Sequence, residues 1–332
     1  MSKVVEKQEF KLFPLNKSNT NTYSYYASNP LLNFEFQMNG TRQIKPDSLR
    51  LVGNFRIFQR SANDKLPANR FDLDCKAAIS ADQKVAYPDD RVSVSSVIQT
   101  LTIANLRGQI MEQIKEYPRM LSSLIGATSS YKDLCSVYQN TWAAYPNQDC
   151  IARASAGDIP FALSLRSGFL MERKPISLAN NGIRISINLA SDNSDVYLTG
   201  QYLVMDTPKG PQKGEIIEYH QFYNYLNTLN SANDHNNLAL NLKEVVSIYS
   251  NFVPSNWTSN FDKNGLSTTK IMNTNNVNTN INDTQFMRGA VKYPLEFSID
   301  ETRQNSNGVF DALRSRNFLN AISTYNKLNH TT

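Results

Sequence analysis

The residues that could do chemistry in this chain are few, and their spacing argues against an enzyme. The 332-residue sequence contains three histidines, His220, His235 and His330, all of them after residue 206. An enzymatic jelly roll of the cupin type needs a His-x-His pair, a glutamate and a further histidine around one metal ion. Because no histidine precedes residue 206, we expect no such site in the first two thirds of the chain.

The cysteines give no stronger signal. Cys75, Cys135 and Cys150 are too few and too scattered for a disulfide framework or a zinc site. Cysteine–histidine catalysis would need one of these thiols to meet a distant histidine, and no local pattern supports that. The motifs GxSxG, GxGxxG and GxxxxGK[ST] are also missing from the sequence. We therefore predict no catalytic residue and no cofactor.

One loop could hold an ion. In "SDNSD" (191–195), the carboxylates of Asp192 and Asp195 are oxygen ligands of the kind that Ca²⁺ prefers. The same residue types are also typical of ordinary turns. We favour the turn, and Ca²⁺ at Asp192 and Asp195 stays the weaker alternative.

Charge and hydropathy narrow the class of protein further. The net charge of +5 is spread evenly along the chain, so no basic patch indicates nucleic-acid binding. The N-terminal "MSKVVEKQEFKLF" lacks the apolar core of a signal peptide, and no run of 18 apolar residues is long enough to span a membrane. We expect synthesis and folding in a cytoplasm.

Alternation of apolar and polar residues predicts a largely β protein. Strand-like segments, each bounded by Gly, Pro, Asn or Asp, occupy 34–40, 48–60, 70–79, 159–170, 181–190 and 194–206. Apolar spacings of three and four predict helices over 109–125, between Gly108 and Gly126, and over 308–325. Strands do not alternate with helices, so an antiparallel all-β sandwich is favoured over a parallel α/β fold.

A short block recurs in the second half. Arg107-Gly108 and Tyr117-Pro118 are matched by Arg288-Gly289 and Tyr293-Pro294, and in both halves helix-like sequence with pairs of leucines comes after the Tyr-Pro pair. Between the two blocks, "DTPKGPQKGE" (206–215) has no periodicity and reads as a linker. The recurrence indicates an internal repeat.

The order of several motifs resembles a known family. "SVIQTLTI", "NLRGQIMEQI", Tyr-Pro, "RMLSSLIG" and "FALSLRSGFLMERKPISLANNGIRISINLA" follow one another as in the double-jelly-roll major capsid proteins of tailless icosahedral viruses. The likeness is best over residues 34–205. It implies two jelly-roll sandwiches side by side, with short helices inserted between strands. The implied domains are an N-terminal arm (1–30), a first jelly roll (31–206), a linker (207–214) and a second jelly roll (215–332).

The second jelly roll departs from that pattern. Only 38 residues follow Tyr293-Pro294, and most of them are predicted helix. We therefore expect the second jelly roll to be rearranged or incomplete.

The resemblance also implies a function. It predicts a non-enzymatic structural protein of the virion, a homotrimer of pseudo-hexagonal outline that tiles an icosahedral shell. Its partners would be neighbouring capsomers and penton or minor capsid proteins, with the N-terminal arm running toward an internal membrane or the genome, and no small-molecule substrate is expected. The protein would be made in the host cytoplasm and not secreted. A single-jelly-roll penton or spike, or a lectin-like binding module, is the alternative.

Overall fold

The computed structural model describes part of the chain, and that part forms two compact units. The described residues are 7–15, 24–25, 31–36, 43–45, 48–58, 94–95, 98–128, 159–171, 175–177, 182–189, 195–208, 219–228, 230, 234–238, 245, 248, 283–293 and 299–300. The first unit comprises Met1–Leu238 with Ser255–Ile271, and the second comprises Ala239–Pro254 with Met272–Thr332. The first unit thus includes 219–238, whereas the predicted second domain begins at residue 215.

The first unit consists of antiparallel strands and a single described helix. In chain order these elements are β1 (Lys7–Leu12), β2 (Ser24–Tyr25), β3 (Leu31–Phe36), β4 (Gln43–Ile44), β5 (Arg50–Phe58), β6 (Ile98–Asn105), β7 (Ile110–Lys115), α1 (Tyr117–Thr128), β8 (Ile159–Ser164), β9 (Ile176–Ser177), β10 (Ile183–Leu189) and β11 (Asp195–Pro208). All of the described strand pairs are antiparallel. The prediction of an all-β, mainly antiparallel fold is confirmed.

Two sheets carry most of these strands. The first has the order β1-β11-β5-β8, with β2 also paired to β11, and the second has the order β3-β10-β6-β7. A small additional pair joins β4 to β9. Strands β1 and β2 lie within residues 1–30, the predicted N-terminal arm. Both of them pair with β11, so this region contributes two strands to the first sheet.

The core lies on one face of each sheet. Along β3 and β10, buried residues alternate with more exposed ones, as strands with one dry face require. Leu51 of β5 and Leu163 of β8, which face each other in the first sheet, are also buried. These side chains belong to one apolar cluster with Phe34, Ile103 and Ile185 of the second sheet. The fold is therefore sandwich-like. The alternation predicted for 181–190 and 194–206 corresponds to strands β10 and β11, and residues 34–36 of the segment predicted over 34–40 belong to β3, while 37–40 lie outside the described residues.

The helix predicted over 109–125 begins too early, and this prediction is wrong in its first half. Gly108 takes a left-handed conformation, with φ of 88°, in a turn that folds β7 back onto β6. The Asn105 side chain stabilises this turn by accepting hydrogen bonds from the amides of Arg107 and Gln109, at 3.0 and 2.9 Å. The segment Ile110–Lys115 is consequently strand β7.

A β-bulge explains why the apolar residues of β7 have a spacing typical of a helix. Ile103 of β6 is opposite Glu112, whereas Ala104 is opposite Ile110, so Met111 has no partner position on β6. The helix itself starts at Tyr117, after Glu116, whose carbonyl accepts the first helical hydrogen bond from Met120 at 3.3 Å. Pro118 fits in this first turn because its missing N–H would have had no helical partner.

The second unit is described at two strand pairs. Strands β12 (Asp283–Thr284) and β15 (Ile299–Asp300) pair, and β13 (Phe286–Arg288) and β14 (Val291–Tyr293) form a hairpin. Gly289, with φ of 59°, is the first of the two loop residues, as in a type II′ hairpin turn. The predicted strand at 70–79 and the predicted helix at 308–325 lie outside the described residues. No described helix is long and apolar enough to cross a membrane.

Candidate functional site

Among the described residues of the first unit, Glu112 is the acidic residue that lies in the core. It is on β7, two residues before Ile114, so both side chains point to the same face of the strand. That face is the dry one, and Glu112 is only 3% exposed. A buried carboxylate is costly unless it is hydrogen-bonded, so its partners decide its role.

The first partners come from a tight turn after β8. The hydroxyl of Ser167 accepts a hydrogen bond from the Leu170 amide at 3.0 Å, and the Ser167 carbonyl accepts one from the Met171 amide at 3.1 Å. This single turn leaves the amides of Gly168 and Phe169 pointing outward at its N-terminal end. They donate to Glu112, Gly168 to Oε1 at 3.1 Å and Phe169 to Oε2 at 3.0 Å.

The next partner comes from the segment Tyr219–Asn224, here called the clasp segment. The backbone amide of Phe222 donates to Glu112 Oε1 at 2.9 Å. The carboxylate thus joins three stretches of chain, namely β7, the turn after β8 and the clasp segment. All three hydrogen bonds come from backbone N–H groups, which favours a fixed geometry.

Side chains of the clasp segment also cover the outer edge of β7. The carbonyl of Met111, the bulged residue, accepts hydrogen bonds from the Tyr219 hydroxyl at 2.9 Å and from the Gln221 side-chain amide. Further along, the Asn224 side-chain amide donates to the carbonyls of Lys115 and Glu116, at 3.0 and 3.1 Å. Later residues of the clasp segment contact later residues of β7, so the two segments run parallel to each other. The clasp segment covers the edge of β7 through its side chains.

Packing between the turn and the clasp segment is close enough to require glycine. A Cβ atom added at Gly168 would lie 1.8 Å from the backbone oxygen of His220 and 2.5 Å from its carbonyl carbon. Beside this contact, the rings of Phe169 and Tyr219 meet edge to face, with centroids 4.9 Å apart and an interplanar angle of 85°. The turn and the clasp segment therefore fit each other through apolar contact as well as through Glu112.

The electrostatics of the site are those of buried groups held by backbone dipoles. Burial raises the pKa of the Glu112 carboxyl, while the amides of Phe169 and Phe222 and the Ser167 side chain act in the opposite direction. Burial likewise raises the pKa of Tyr117, at the start of α1. The Tyr117 hydroxyl accepts a hydrogen bond from the Arg166 amide at 2.8 Å, which links the start of α1 to the residue before the turn.

This arrangement can fix three chain segments relative to one another. Both oxygens of Glu112 are engaged by the protein's own backbone. A general acid or base would instead need an oxygen directed at a substrate. The chemistry that the geometry supports is therefore structural.

The residues singled out from sequence do not come together at this site. Asp195 is the first residue of β11, opposite Phe58, and Asp192 lies outside the described residues. His220 and His235 are exposed. His330, Cys75, Cys135 and Cys150 lie outside the described residues. Within the part of the chain that the structure describes, no three metal-ligating side chains form a group.

Sequence reasoning missed Glu112, although a signal was present. The stretch containing it was assigned to a helix, in which a glutamate reads as a solvent-facing residue. Had 110–115 been taken as a strand, the two-residue spacing from Ile114 would have placed Glu112 on the buried face.

No known protein family matches the chain, and no characterised protein matches it in sequence.

Proposed function

We propose that this chain is a structural capsid protein whose first unit is a jelly roll, and that three copies associate into a capsid building block. The observation that carries the proposal is the strand order of the two sheets. Counting only the eight longer strands of the first unit, β1, β3, β5, β6, β7, β8, β10 and β11 take positions one to eight.

The pairing of these eight strands follows a simple rule. Position one pairs with eight, two with seven, three with six and four with five, in the pairs β1–β11, β3–β10, β5–β8 and β6–β7. This is the order produced when one long antiparallel hairpin is rolled into a double-sheet sandwich, which is the topology of a jelly roll. It supports the resemblance to the double-jelly-roll capsid proteins over the region where that resemblance is best.

The second unit shares two local features with the first. In both units an Arg-Gly pair forms a hairpin turn with a left-handed glycine, Gly108 in one and Gly289 in the other. In both, the strand after the turn leads to a Tyr-Pro pair. The parallel favours a second sandwich related to the first.

The candidate site suits a building block better than a catalyst. A jelly roll is stable without a cofactor, and its loops are available for contacts with other subunits. Glu112 and Tyr117 tie the loops at one edge of the sandwich to its core. Such ties give a protein a defined surface for repeated contacts in a shell. On this proposal the protein is located in the virion, with neighbouring capsomers and penton or minor capsid proteins as its partners.

Electron microscopy of the purified full chain tests the proposal. We expect particles of pseudo-hexagonal outline, each divisible into three equal parts, and shells or sheets built from them at high protein concentration. Five-fold particles would favour a penton instead, and particles of single-chain size at every concentration would overturn the proposal.

A further inference from the structure

The clasp segment is attached to the first unit without being part of its sheets. Among the described residues it pairs with no strand, and the side chains of Tyr219, Gln221 and Asn224 hold it to backbone carbonyls of β7 and of the residue after it. Tyr219 and Phe222 pack partly buried against the core, and three of the other four side chains are exposed. Such a segment can open locally while every strand pair of the sandwich stays intact.

Closing the clasp segment covers the carboxyl group of Glu112. The Phe222 amide lies 2.9 Å from Glu112 Oε1, and the Glu112 side chain is only 3% exposed when the segment is in place. Opening the segment would remove this amide and admit water to Oε1. Moving a carboxylate from water to a buried site costs far more free energy than moving the neutral acid. Closure is therefore easier when Glu112 carries a proton.

The hydrogen bonds around Glu112 are compatible with that proton. Oε1 accepts the amides of Gly168 and Phe222, as a carbonyl oxygen with two lone pairs can, and Oε2 accepts the amide of Phe169. A carboxylic acid hydroxyl at Oε2 can still accept that one bond. The Ser167 side chain also bonds to the carboxyl, and its hydroxyl oxygen can accept the added proton. Protonation thus requires no rearrangement of the closed site.

Other charged groups do not oppose this assignment. The ionisable side chains on the elements around Glu112 are those of Lys115 and Glu116 at the end of β7, Tyr117 of α1, Arg166 before the turn, and Tyr219, His220 and Tyr223 of the clasp segment. Burial is the largest cause of the raised pKa of Glu112, and the opposing causes are hydrogen bonds rather than charges. Burial also raises the pKa of Tyr117, so this neighbour is neutral at physiological pH.

We propose that the clasp segment is a proton-controlled strap, closed on β7 while Glu112 is protonated and released when Glu112 loses its proton. The closed form binds the proton more tightly than the open form. Closure is therefore favoured below the pKa of the carboxyl in the open form and is lost as the pH rises through its pKa in the closed form. Release uncovers the edge of β7 and leaves the sandwich folded. The inference holds whether or not the chain builds a capsid.

Hydrogen exchange of the full chain between pH 4 and pH 8 tests the proposal. Exchange of the peptides covering 219–226 is expressed as protection relative to an unstructured peptide of the same sequence, which removes the intrinsic effect of pH. We expect protection to fall as the pH rises, by up to about tenfold for each pH unit between the two pKa values of Glu112. Protection of the peptides covering β10 serves as the internal reference and should change much less.

Three variants identify the group that responds to pH. In Glu112→Gln the side chain is neutral throughout, so protection of 219–226 should be lower but independent of pH. His220→Gln removes the imidazole of the clasp segment and should keep the pH dependence of the unchanged protein. Tyr219→Phe removes the hydrogen bond to the Met111 carbonyl, so protection should fall about two- to tenfold by the same factor at every pH.

A fourth variant serves where Glu112→Gln does not fold. Ser167→Ala removes a hydrogen bond that lowers the pKa of Glu112, so the loss of protection should move to higher pH.

Four results would overturn the proposal. They are protection of 219–226 that rises with pH, a pH dependence that survives in Glu112→Gln or stays at the same pH in Ser167→Ala, a pH dependence that disappears in His220→Gln, and a parallel loss of protection in β10. The last result would mean that the whole unit loosens rather than the clasp segment alone.

Discussion

The carboxylate of Glu112 and the backbone amide of Phe222, 110 residues apart in the chain, meet at 2.9 Å. Through this bond, a segment beyond the last strand of the first sandwich is attached to the buried face of β7. The same carboxylate holds the turn at Gly168 and Phe169. Glu112 is therefore the point at which distant parts of the sequence are fixed to one edge of the sandwich.

Replacing Glu112 by Gln tests the strength of this attachment. The side chain keeps its size, but an amide NH₂ replaces one oxygen and faces a backbone N–H that then has no acceptor. An unsatisfied buried donor costs about 1–3 kcal/mol, so the free energy of unfolding should fall by that amount. Urea denaturation measures the change. Glu9→Gln, at an exposed position, is the control and should change it by less than about 0.5 kcal/mol.

The pH dependence of stability provides a second test of Glu112. Because the folded protein raises the pKa of this carboxyl, it binds the proton more tightly than the unfolded chain does. The resulting stabilisation is present below the unfolded pKa of about 4.3 and is lost as the pH rises through the raised folded pKa. The difference in unfolding free energy between the unchanged protein and Glu112→Gln should therefore decrease from acid to neutral pH. A difference that increases instead would show that the backbone donors outweigh burial.

Replacing Gly168 by Ala should loosen the clasp segment. The new Cβ would overlap the backbone of His220, and this backbone can move away only by shifting the clasp segment. Hydrogen exchange of the peptides covering 219–226 should become faster. Gly108→Ala is the matched control, since a Cβ there meets nothing within 4 Å and adds only the strain of a left-handed residue. Equal exchange in the two variants would contradict the role given to Gly168.

Replacing Tyr117 by Phe removes an acceptor from the buried end of α1. The Arg166 amide then loses its partner at 2.8 Å, and we expect a loss of about 1–3 kcal/mol in the free energy of unfolding. Tyr223→Phe is the control, because the exposed Tyr223 hydroxyl bonds only to the Gln221 side chain among the described residues. If the two variants have the same stability in urea, the Tyr117 hydroxyl does not stabilise the fold.

The strands could be predicted from sequence where one face is buried and the other is polar. β3 and β10 are such strands, and their alternation places Phe34 and Ile185 in the core. β7 could not be predicted in this way, because the bulge at Met111 breaks the alternation between Ile110 and Ile114. A local spacing of four residues then looks the same as a turn of helix.

The hydrogen bonds of the candidate site could not be predicted from local sequence patterns, for a different reason. The partners of Glu112 are backbone amides, so the residue types at positions 168, 169 and 222 carry no sign of the hydrogen bonds that they make. Their separation in sequence, 56 to 110 residues, also exceeds any motif. The one residue whose type does report the contact is Gly168, which admits the backbone of His220.

The mass of the purified full chain in solution tests the central claim most directly. Size-exclusion chromatography with light scattering should give three times the chain mass of 37.5 kDa, stable on dilution, because the proposed building block is a homotrimer. A mass of five chains would point to a penton. A mass of one chain at every concentration would contradict the account.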